Sequence, residues 1–311
     1  MLQEKIQQFL WSEQPFPKII VIYGPTACGK TRLSLEVAKY TNSEILSADS
    51  RQIYKGLDIG TGKITQAETE WIPHHMIDII DPSITFSMVD FANHALPIIA
   101  DIARKGKIPI LCGGTGLYID SILYEMDYPD TPPDWEYRDM LEMIRKNEGD
   151  EKLWNMLHEV DPEYADELLP ENYRYVMRGL EVIRSTGKSK RESKNTKIPR
   201  FSPLFLTPYD DKDRAVLYER INARVEKMFG DGLIDEVQHI IDIYTSNCPG
   251  LGTIGYKEIV EYLKWMRTLD ETIALVSQHS RNYAKRQVTW NKRYEIWTFN
   301  TSEEALKDTS Q

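Results

Sequence analysis

KIIVIYGPTACGKT, residues Lys18 to Thr31, decides the architecture of this chain. Ile19 to Tyr23 are β-branched or aromatic with no polar break, the pattern of a strand buried on both faces. Gly24-Pro25-Thr26-Ala27-Cys28-Gly29-Lys30-Thr31 then fits G-x-x-x-x-G-K-[ST], the signature of a phosphate-binding loop. Gly24 and Gly29 permit the turns that aim successive N–H groups of Thr26 to Thr31 at one anion. Arg32 to Tyr40, apolar at Leu33, Leu35, Val37 and Ala38, reads as a helix whose N-terminus adds partial positive charge at the same point. In that arrangement Lys30 reaches the terminal phosphates and Thr31 offers its hydroxyl to Mg2+. A glycine-rich turn that binds nothing could share the eight residues, but strand and helix on either side favour the phosphate loop.

Composition bounds what surrounds this loop. A chain of 311 residues can bury one large core or two modest ones. With 41% hydrophobic and 28% charged residues it is ordinary globular protein. No apolar run approaches the about 20 residues that span a bilayer, and the opening MLQEKIQQFLWSEQ has none of the three regions of a signal peptide. Cys28, Cys112 and Cys248 are far apart and outside any C-x-x-C. They point to reduced thiols in a cytoplasmic protein, not to a disulfide framework or a zinc site. The net charge of −10 taken as a sum argues against a nucleic-acid partner. Its distribution does not. Lys188, Lys190, Arg191, Lys194 and Lys197 lie between Arg184 and Arg200 against Glu192 alone, and Arg281, Lys285, Arg286, Lys292 and Arg293 gather near the C-terminus. A solvated face is the ordinary reading of either run.

Along the chain, Ser43–Ser47 reads as a second strand ending at Ala48-Asp49-Ser50-Arg51-Gln52. Ligands of open α/β sheets bind beyond the carboxyl ends of strands, which puts Asp49 beside the phosphate loop. Ile53–Lys63, glycine-rich and without a period, reads as an ordered loop. His75–Ile80 suggests a short strand. Ser87-Met-Val-Asp90 resembles a capping box and opens a helix to about Lys105, with a kink expected at Pro97. Lys107–Cys112 is a further buried strand, followed by Gly113-Gly-Thr-Gly-Leu-Tyr118 and a helix to about Tyr124. Strands alternating with helices imply a parallel sheet covered on both faces. The acid that ATPases and GTPases usually place at a strand end for Mg2+ is missing after Cys112, so Asp49 is the acid at a core strand end.

From about Glu125 the pattern changes. Asp127–Asp134 is proline-rich and reads as a hinge. Helices are expected at 135–146, 150–159, 162–168 and 172–185, the last closed by Gly187. No strand intervenes until Phe201–Leu206. The expected organisation is therefore an α/β core of residues 1–124 and 201–311 with a helical insertion at 125–200. Helices at 211–229, 233–244, 256–263 and 269–291 and a strand at 295–299 complete the core. Arg220 and Arg224, four apart, share a face of the first of these helices.

Taken together, GPTACGKT, DSRQIYKGLDIGTGK, HHMIDIIDP, GGTGLY, RYVMRGLEV, RINARVEKM, IGYKE and YAKRQVTW resemble the bacterial tRNA dimethylallyltransferases (tRNA isopentenyltransferases), in that family's order and over residues 18–295. The resemblance implies a phosphate loop turned to diphosphate binding, with transfer of a dimethylallyl group from its diphosphate to the N6 amine of the adenosine after the anticodon. It makes Asp49 the base that accepts the amine proton, a role that suits an acid beside the phosphate loop. An N-cap or Mg2+ ligand is the other reading of Asp49. Thr26 and Arg224 are carried over as catalytic, with Arg224 on the diphosphate, where fixed cations and N–H groups would stabilise the leaving oxygen. Arg220 either shares that work or pairs with Glu219 or Asp213, and the structural reading is preferred. The tRNA contacts implied are Asp49, Ser50, Arg51, Gln52, Thr115, Arg174 and Arg178. Arg138 is a weaker candidate, and Lys285 and Arg286, with the 188–200 run, would track phosphates. The adenine must be splayed out for N6 chemistry. His74 and His75 are expected to be structural. Cys28 and Gly179 stand where the family usually has Ser and Ala. The expected partners are an anticodon stem-loop and dimethylallyl diphosphate with Mg2+, no membrane, and a monomeric protein. Two other readings remain: a P-loop small-molecule kinase, and a non-catalytic tRNA-binding protein that uses the loop for regulation.

Overall fold

β1 (Lys18–Tyr23) lies inside a six-stranded parallel sheet, and each of its two faces meets a different set of helices. In the computed structural model, residues 2–125, 134–191, 197–210, 212 and 214–299 are described. The other strands are β2 (Ile45–Ser47), β3 (His74–His75), β4 (Ile110–Gly113), β7 (Ser202–Thr207) and β8 (Trp297–Thr298), in the order β3-β2-β4-β1-β7-β8. Ile22 of β1 pairs with Cys112 on one side and Leu206 on the other, so the phosphate loop leaves the sheet between two buried neighbours.

Successive side chains of a strand point to opposite faces, and here both faces are apolar. Ile19, Val21 and Tyr23 pack with α3 (Met88–Arg104) and α4 (Gly116–Leu123) through Phe91, Ala95, Ile99, Ile119 and Ile122. Ile20 and Ile22 pack with α1 (Leu2–Trp11) and α2 (Lys30–Thr41) through Ile6, Leu33 and Val37. This is the covered parallel sheet that the alternation of strand and helix requires. α9 (Arg214–Gly230), α10 (Leu233–Tyr244), α11 (Tyr256–Leu263) and α12 (Leu269–Asn291) follow β7. α9 and α12 hold the phosphate loop itself: Cys28 is buried with Leu217, Ile221, Ala284 and Val288.

The chain divides into two compact units, one of residues 1–124 and 199–311, the other of 125–198. It leaves the first at the short strand β5 (Tyr124–Glu125) and re-enters it at β6 (Ile198–Pro199). The second unit contains α5 (Trp135–Glu148), α6 (Asp150–Val160), α7 (Pro162–Ala165), a short 3-10 turn at Pro170–Asn172 and α8 (Tyr173–Thr186). Leu141, Leu153, Leu157, Val176 and Leu180 form its own core. Gly187 closes α8 in the left-handed conformation at φ 68°. Most of the proline-rich hinge, like Lys194, Asp211 and Asp213, lies outside the described residues. No helix among the described residues is long and apolar enough to cross a membrane.

Several expected elements are shorter than the sequence suggested, among them the strands read at 43–47 and 295–299, which are Ile45–Ser47 and Trp297–Thr298. The strand read at 75–80 ends at His75, because Met76 and Asp78 take φ of 63° and 56°, which no pleated strand accommodates. The helix read at 162–168 stops at Ala165, and Pro170 begins the next turn, where its missing N–H costs nothing. The capping box at Ser87 and Asp90 is formed in both directions, and α3 runs through Pro97.

His74 and His75 are structural, as expected. His74 Nδ1 meets the Ile72 carbonyl at 2.8 Å. His75 Nε2 lies 2.9 Å from Glu44, which Lys105 and Lys107 also reach at 3.1 Å. Burial pushes the Glu44 carboxyl up, but the hydrogen bonds from these three partners outweigh it and hold it down at about 2, against 4.5 ordinarily. A depressed carboxyl stabilises the fold above its unfolded pKa and loses that contribution as pH falls toward its folded one. Stability therefore declines between about pH 5 and 2 in the native chain. Glu44→Gln is expected to be less stable at neutral pH and to show a flatter acid limb, measured as the thermal midpoint across that range.

Candidate active site

Three segments beyond the carboxyl ends of β1, β2 and β4 converge on the phosphate loop. In the loop, Gly29 is the left-handed N-cap of α2 at φ 96°, and Ala27 takes φ 62°, a conformation disfavoured for a residue with a Cβ. Lys30 Nζ donates to the carbonyls of Gly24 and Pro25 at 2.9 and 2.8 Å, which holds the ammonium over the loop. Thr31 is exposed in the first turn of α2. The Thr26 amide, one of those assigned to the anion from sequence, donates instead to Gln287 Oε1 at 2.9 Å. Burial pushes the Cys28 thiol up, with Lys30 opposing, so Cys28 acts as packing and not as a thiolate.

Asp49 follows β2. Its Oδ1 accepts the Arg51 amide at 2.9 Å, the side-chain turn that Asp makes with its own backbone two residues on. Oδ2 takes no hydrogen bond from the described residues. The carboxylate is felt by its neighbours: burial chiefly, and then Asp49, push the Tyr283 phenol up to about 12. Desolvation pushes the Cys112 thiol at the end of β4 to about 11, with Asp49 contributing, so it too is neutral. Gln52 is tied at both ends of its amide. Its Oε1 accepts from Ser47 at 3.0 Å and its Nε2 donates to the Gly62 carbonyl at 3.4 Å.

The Gly113-Gly114-Thr115-Gly116 loop is glycine-rich because three things approach its backbone. A Cβ at Gly113 would stand 2.2 Å from the Ala48 carbonyl oxygen, at Gly114 1.9 Å from Gln287 Nε2, and at Gly116 2.2 Å from Trp290 Nε1. Thr115 Oγ1 accepts the Ser50 amide at 3.0 Å and lies 3.3 Å from the Ser50 hydroxyl, so the loops after β2 and β4 are fastened together. Gln287 of α12, 4% exposed, completes the frame by donating to the Gly114 carbonyl at 2.9 Å.

Arg224 enters from α9. Its Nη2 donates to the Thr61 carbonyl at 3.3 Å, and Gly62, at φ 58°, leaves the room: a Cβ there would be 1.7 Å from that nitrogen. No carboxylate of the described residues forms an ion pair with Arg224. Burial draws its guanidinium below the ordinary value, with the Asp49 charge opposing; an arginine stays cationic under such a shift. The site thus sets a carboxylate with one oxygen unused by the described residues in the field of a cation that no described carboxylate pairs. Arg220, one turn earlier, is exposed and its charge reaches Cys28. It makes no ion pair among the described residues, so the pairing with Glu219 is not formed, and Asp213 lies outside them.

In the second unit, Arg138 and Arg178 both bind Glu181, which is 1% exposed; Arg138 Nη2 does so at 2.8 Å. Burial pushes that carboxyl up, and the two arginines and the Asp134 amide bring it below its ordinary value. Both arginines therefore have a structural task, whereas Arg174 is exposed with its guanidinium 5.7 Å from the Tyr173 ring. Of the two basic runs, Arg191 is paired with Glu163 and Glu167, and Arg200 donates to the carbonyls of Ser121 and Tyr124. Arg281 is held by Asn222, while Lys285 and Arg286 stand exposed on α12. Sequence reasoning gave no role to Gln287, Tyr283 or Glu236. Gln287 meets Thr26 across 261 residues, and no local pattern signals such a pair.

Comparison with known proteins identifies the family to which this fold belongs. The family model described as IPP transferase matches residues 52–294. The tRNA dimethylallyltransferase of Caldanaerobacter subterraneus subsp. tengcongensis is 43% identical over 91% of both chains, and that of Oceanobacillus iheyensis 45% identical over 90% of both. Among solved structures, a tRNA isopentenylpyrophosphate transferase from Bacillus halodurans superposes with a TM-score of 0.68 at 39% identity, covering 94% of this chain and 93% of that one. A eukaryotic dimethylallyltransferase acting on tRNA gives a TM-score of 0.78 at 30% identity, with 94% and 76% covered. Similarity of this extent, in sequence and in fold, makes the chain a member of the IPP transferase family.

Proposed function

We propose that the chain transfers a dimethylallyl group from dimethylallyl diphosphate to the N6 amine of the adenosine 3′-adjacent to the anticodon, position 37 of tRNA. The observation that carries this reading is the Asp49 carboxylate, one oxygen unused by the described residues, beside the phosphate loop and within the field of Arg224. In the reaction, the bond between the allylic carbon and the bridging oxygen breaks and a bond from that carbon to N6 forms. The N6 proton passes to Asp49, and diphosphate leaves. Loop amides from Ala27 to Thr31, Lys30 and Arg224 face the charge that grows on the leaving oxygens, where preorganised donors act most strongly.

The residues present suit Mg2+. This ion prefers oxygen ligands and is usually shared between one or two protein oxygens and substrate phosphates. Thr31 offers an exposed hydroxyl, and the described residues hold no group of three His, Cys, Asp or Glu that would make a resident site. When bound with the diphosphate, Mg2+ supplies positive charge to the leaving group.

For the tRNA, Asp49 to Gln52 and Thr115 border the place of the adenine, and Lys285 and Arg286 stand exposed to phosphates. Arg174 is the candidate contact of the second unit, and Arg138 and Arg178, both held by Glu181, rank behind it. The free Cys28, Cys112 and Cys248 suit a reducing compartment such as the cytoplasm. The test is mass spectrometry of anticodon stem-loops incubated with dimethylallyl diphosphate and Mg2+. A gain of one dimethylallyl mass on the adenosine after the anticodon is expected. No gain with any stem-loop, together with phosphate release from ATP, would overturn the reading in favour of a kinase.

A further inference from the structure

The turn Asp58–Lys63 meets the candidate site with its backbone. The Thr61 carbonyl accepts from Arg224 and the Gly62 carbonyl from Gln52, so the placement of two site residues depends on where this turn lies. A turn with two glycines in three residues has a large conformational space of its own, and something must restrict it. Glu236, near the start of α10, does so. Its Oε2 accepts the amides of Asp58 at 3.0 Å and Ile59 at 2.8 Å. Its Oε1 accepts the amide of Gly60 at 3.2 Å and the hydroxyl of Tyr256.

Three consecutive amides converging on one carboxylate form an anion-binding nest whose anion is part of the protein. Such charge-assisted bonds are roughly twice as strong as neutral ones. Glu236 has no Lys or Arg ion-pair partner among the described residues, so its charge is answered by the turn. Burial chiefly, then the Glu236 charge, push the Tyr256 phenol well above its ordinary value, and it remains a donor. Gly60 completes the fit: a Cβ there would be 2.4 Å from the Tyr256 ring.

We propose that Glu236 is a positioning residue for Arg224. It holds the 58–62 turn so that the Thr61 carbonyl engages one nitrogen of the guanidinium and turns the rest of the fork toward the diphosphate. Without that hold the arginine keeps its charge and loses its direction. The inference rests on Arg224 binding the diphosphate, and its test separates the two claims.

The measurement is steady-state transfer to an anticodon stem-loop, with calorimetric binding of inorganic pyrophosphate and Mg2+, for wild type, Glu236→Gln, Arg224→Ala and the double variant. Glu236→Gln is expected to raise KM for dimethylallyl diphosphate and to weaken pyrophosphate binding about tenfold. In the Arg224→Ala background the same substitution should cost less than about twofold, the non-additivity of residues that act through one another. An equal cost in both backgrounds would overturn the inference, since it is what a general loss of stability produces. If Arg224→Ala leaves pyrophosphate binding unchanged, the role of Arg224 fails and this inference with it. If Arg224→Ala weakens binding and Glu236→Gln does not, only the role of Glu236 fails. Gly60→Ala displaces the same turn while keeping Glu236 intact. It should show the same pattern and serves as the readout if Glu236→Gln does not fold.

Discussion

Asp49→Asn lowers kcat for dimethylallyl transfer by about a hundred- to ten-thousand-fold and leaves the KM for dimethylallyl diphosphate near its wild-type value. That range is what a positioned general base contributes. The N6 lone pair of adenine is delocalised into the ring, so the amine attacks weakly and its proton becomes acidic only as the new bond forms. An acceptor in place at that moment lowers the barrier. Asn is the informative replacement because its Oδ1 can still accept the Arg51 amide, which preserves the turn after β2. Only the acceptor at the second position is removed. Single-turnover rates followed by mass spectrometry of the stem-loop check this. A loss confined to the KM for tRNA would make Asp49 a binding residue and not the base.

Arg224→Ala lowers kcat/KM for dimethylallyl diphosphate by about a hundred- to a thousand-fold, the cost of removing one donor aimed at a developing oxyanion. The expectation rests on how this arginine is held. It is half-buried, its only described hydrogen bond goes to a neutral carbonyl, and no carboxylate among the described residues forms an ion pair with it. Desolvation of an unpaired cation is costly and is offset once a diphosphate arrives. Arg224→Lys should recover only part of the loss, since an ammonium keeps the charge and not the planar fork. Competition by inorganic pyrophosphate is the check. An unchanged inhibition constant in Arg224→Ala, with a raised KM for the stem-loop, would place this arginine on the tRNA.

The two substitutions act on different parts of one step, the proton of the nucleophile and the charge of the leaving group. Their structural supports are also different. Asp49 is set by local geometry, a strand end and a turn closed by its own side chain. Arg224 is set by a glycine turn that is far away in the sequence and is fastened by Glu236 on yet another helix. Of the two, the arginine is therefore the one more open to disturbance from outside the site.

What the sequence determined by itself was everything written in local or near-local pattern. The unbroken apolar run of β1, the glycine spacing of the phosphate loop and the capping box at Ser87 each fix a conformation within a few residues. α10, α11 and α12 likewise begin and end where their apolar periodicity and caps put them. The position of Asp49 also followed, because a strand end in a parallel sheet has one place to go.

Only the tertiary structure decided what meets what. Gln287 takes the Thr26 amide and locks the Gly114 loop, and Glu236 holds the turn beneath Arg224. Arg138 and Arg178, read as free to contact nucleic acid, are drawn onto the buried Glu181. The strand read at 75–80 was cut short by two left-handed residues that its apolar pattern does not reveal. In each case the deciding partner is distant in the chain or lies in backbone geometry. A buried charge or amide pairs with whatever the packed core brings within about 3 Å of it, and that neighbour is set by the fold as a whole, not by the residues on either side.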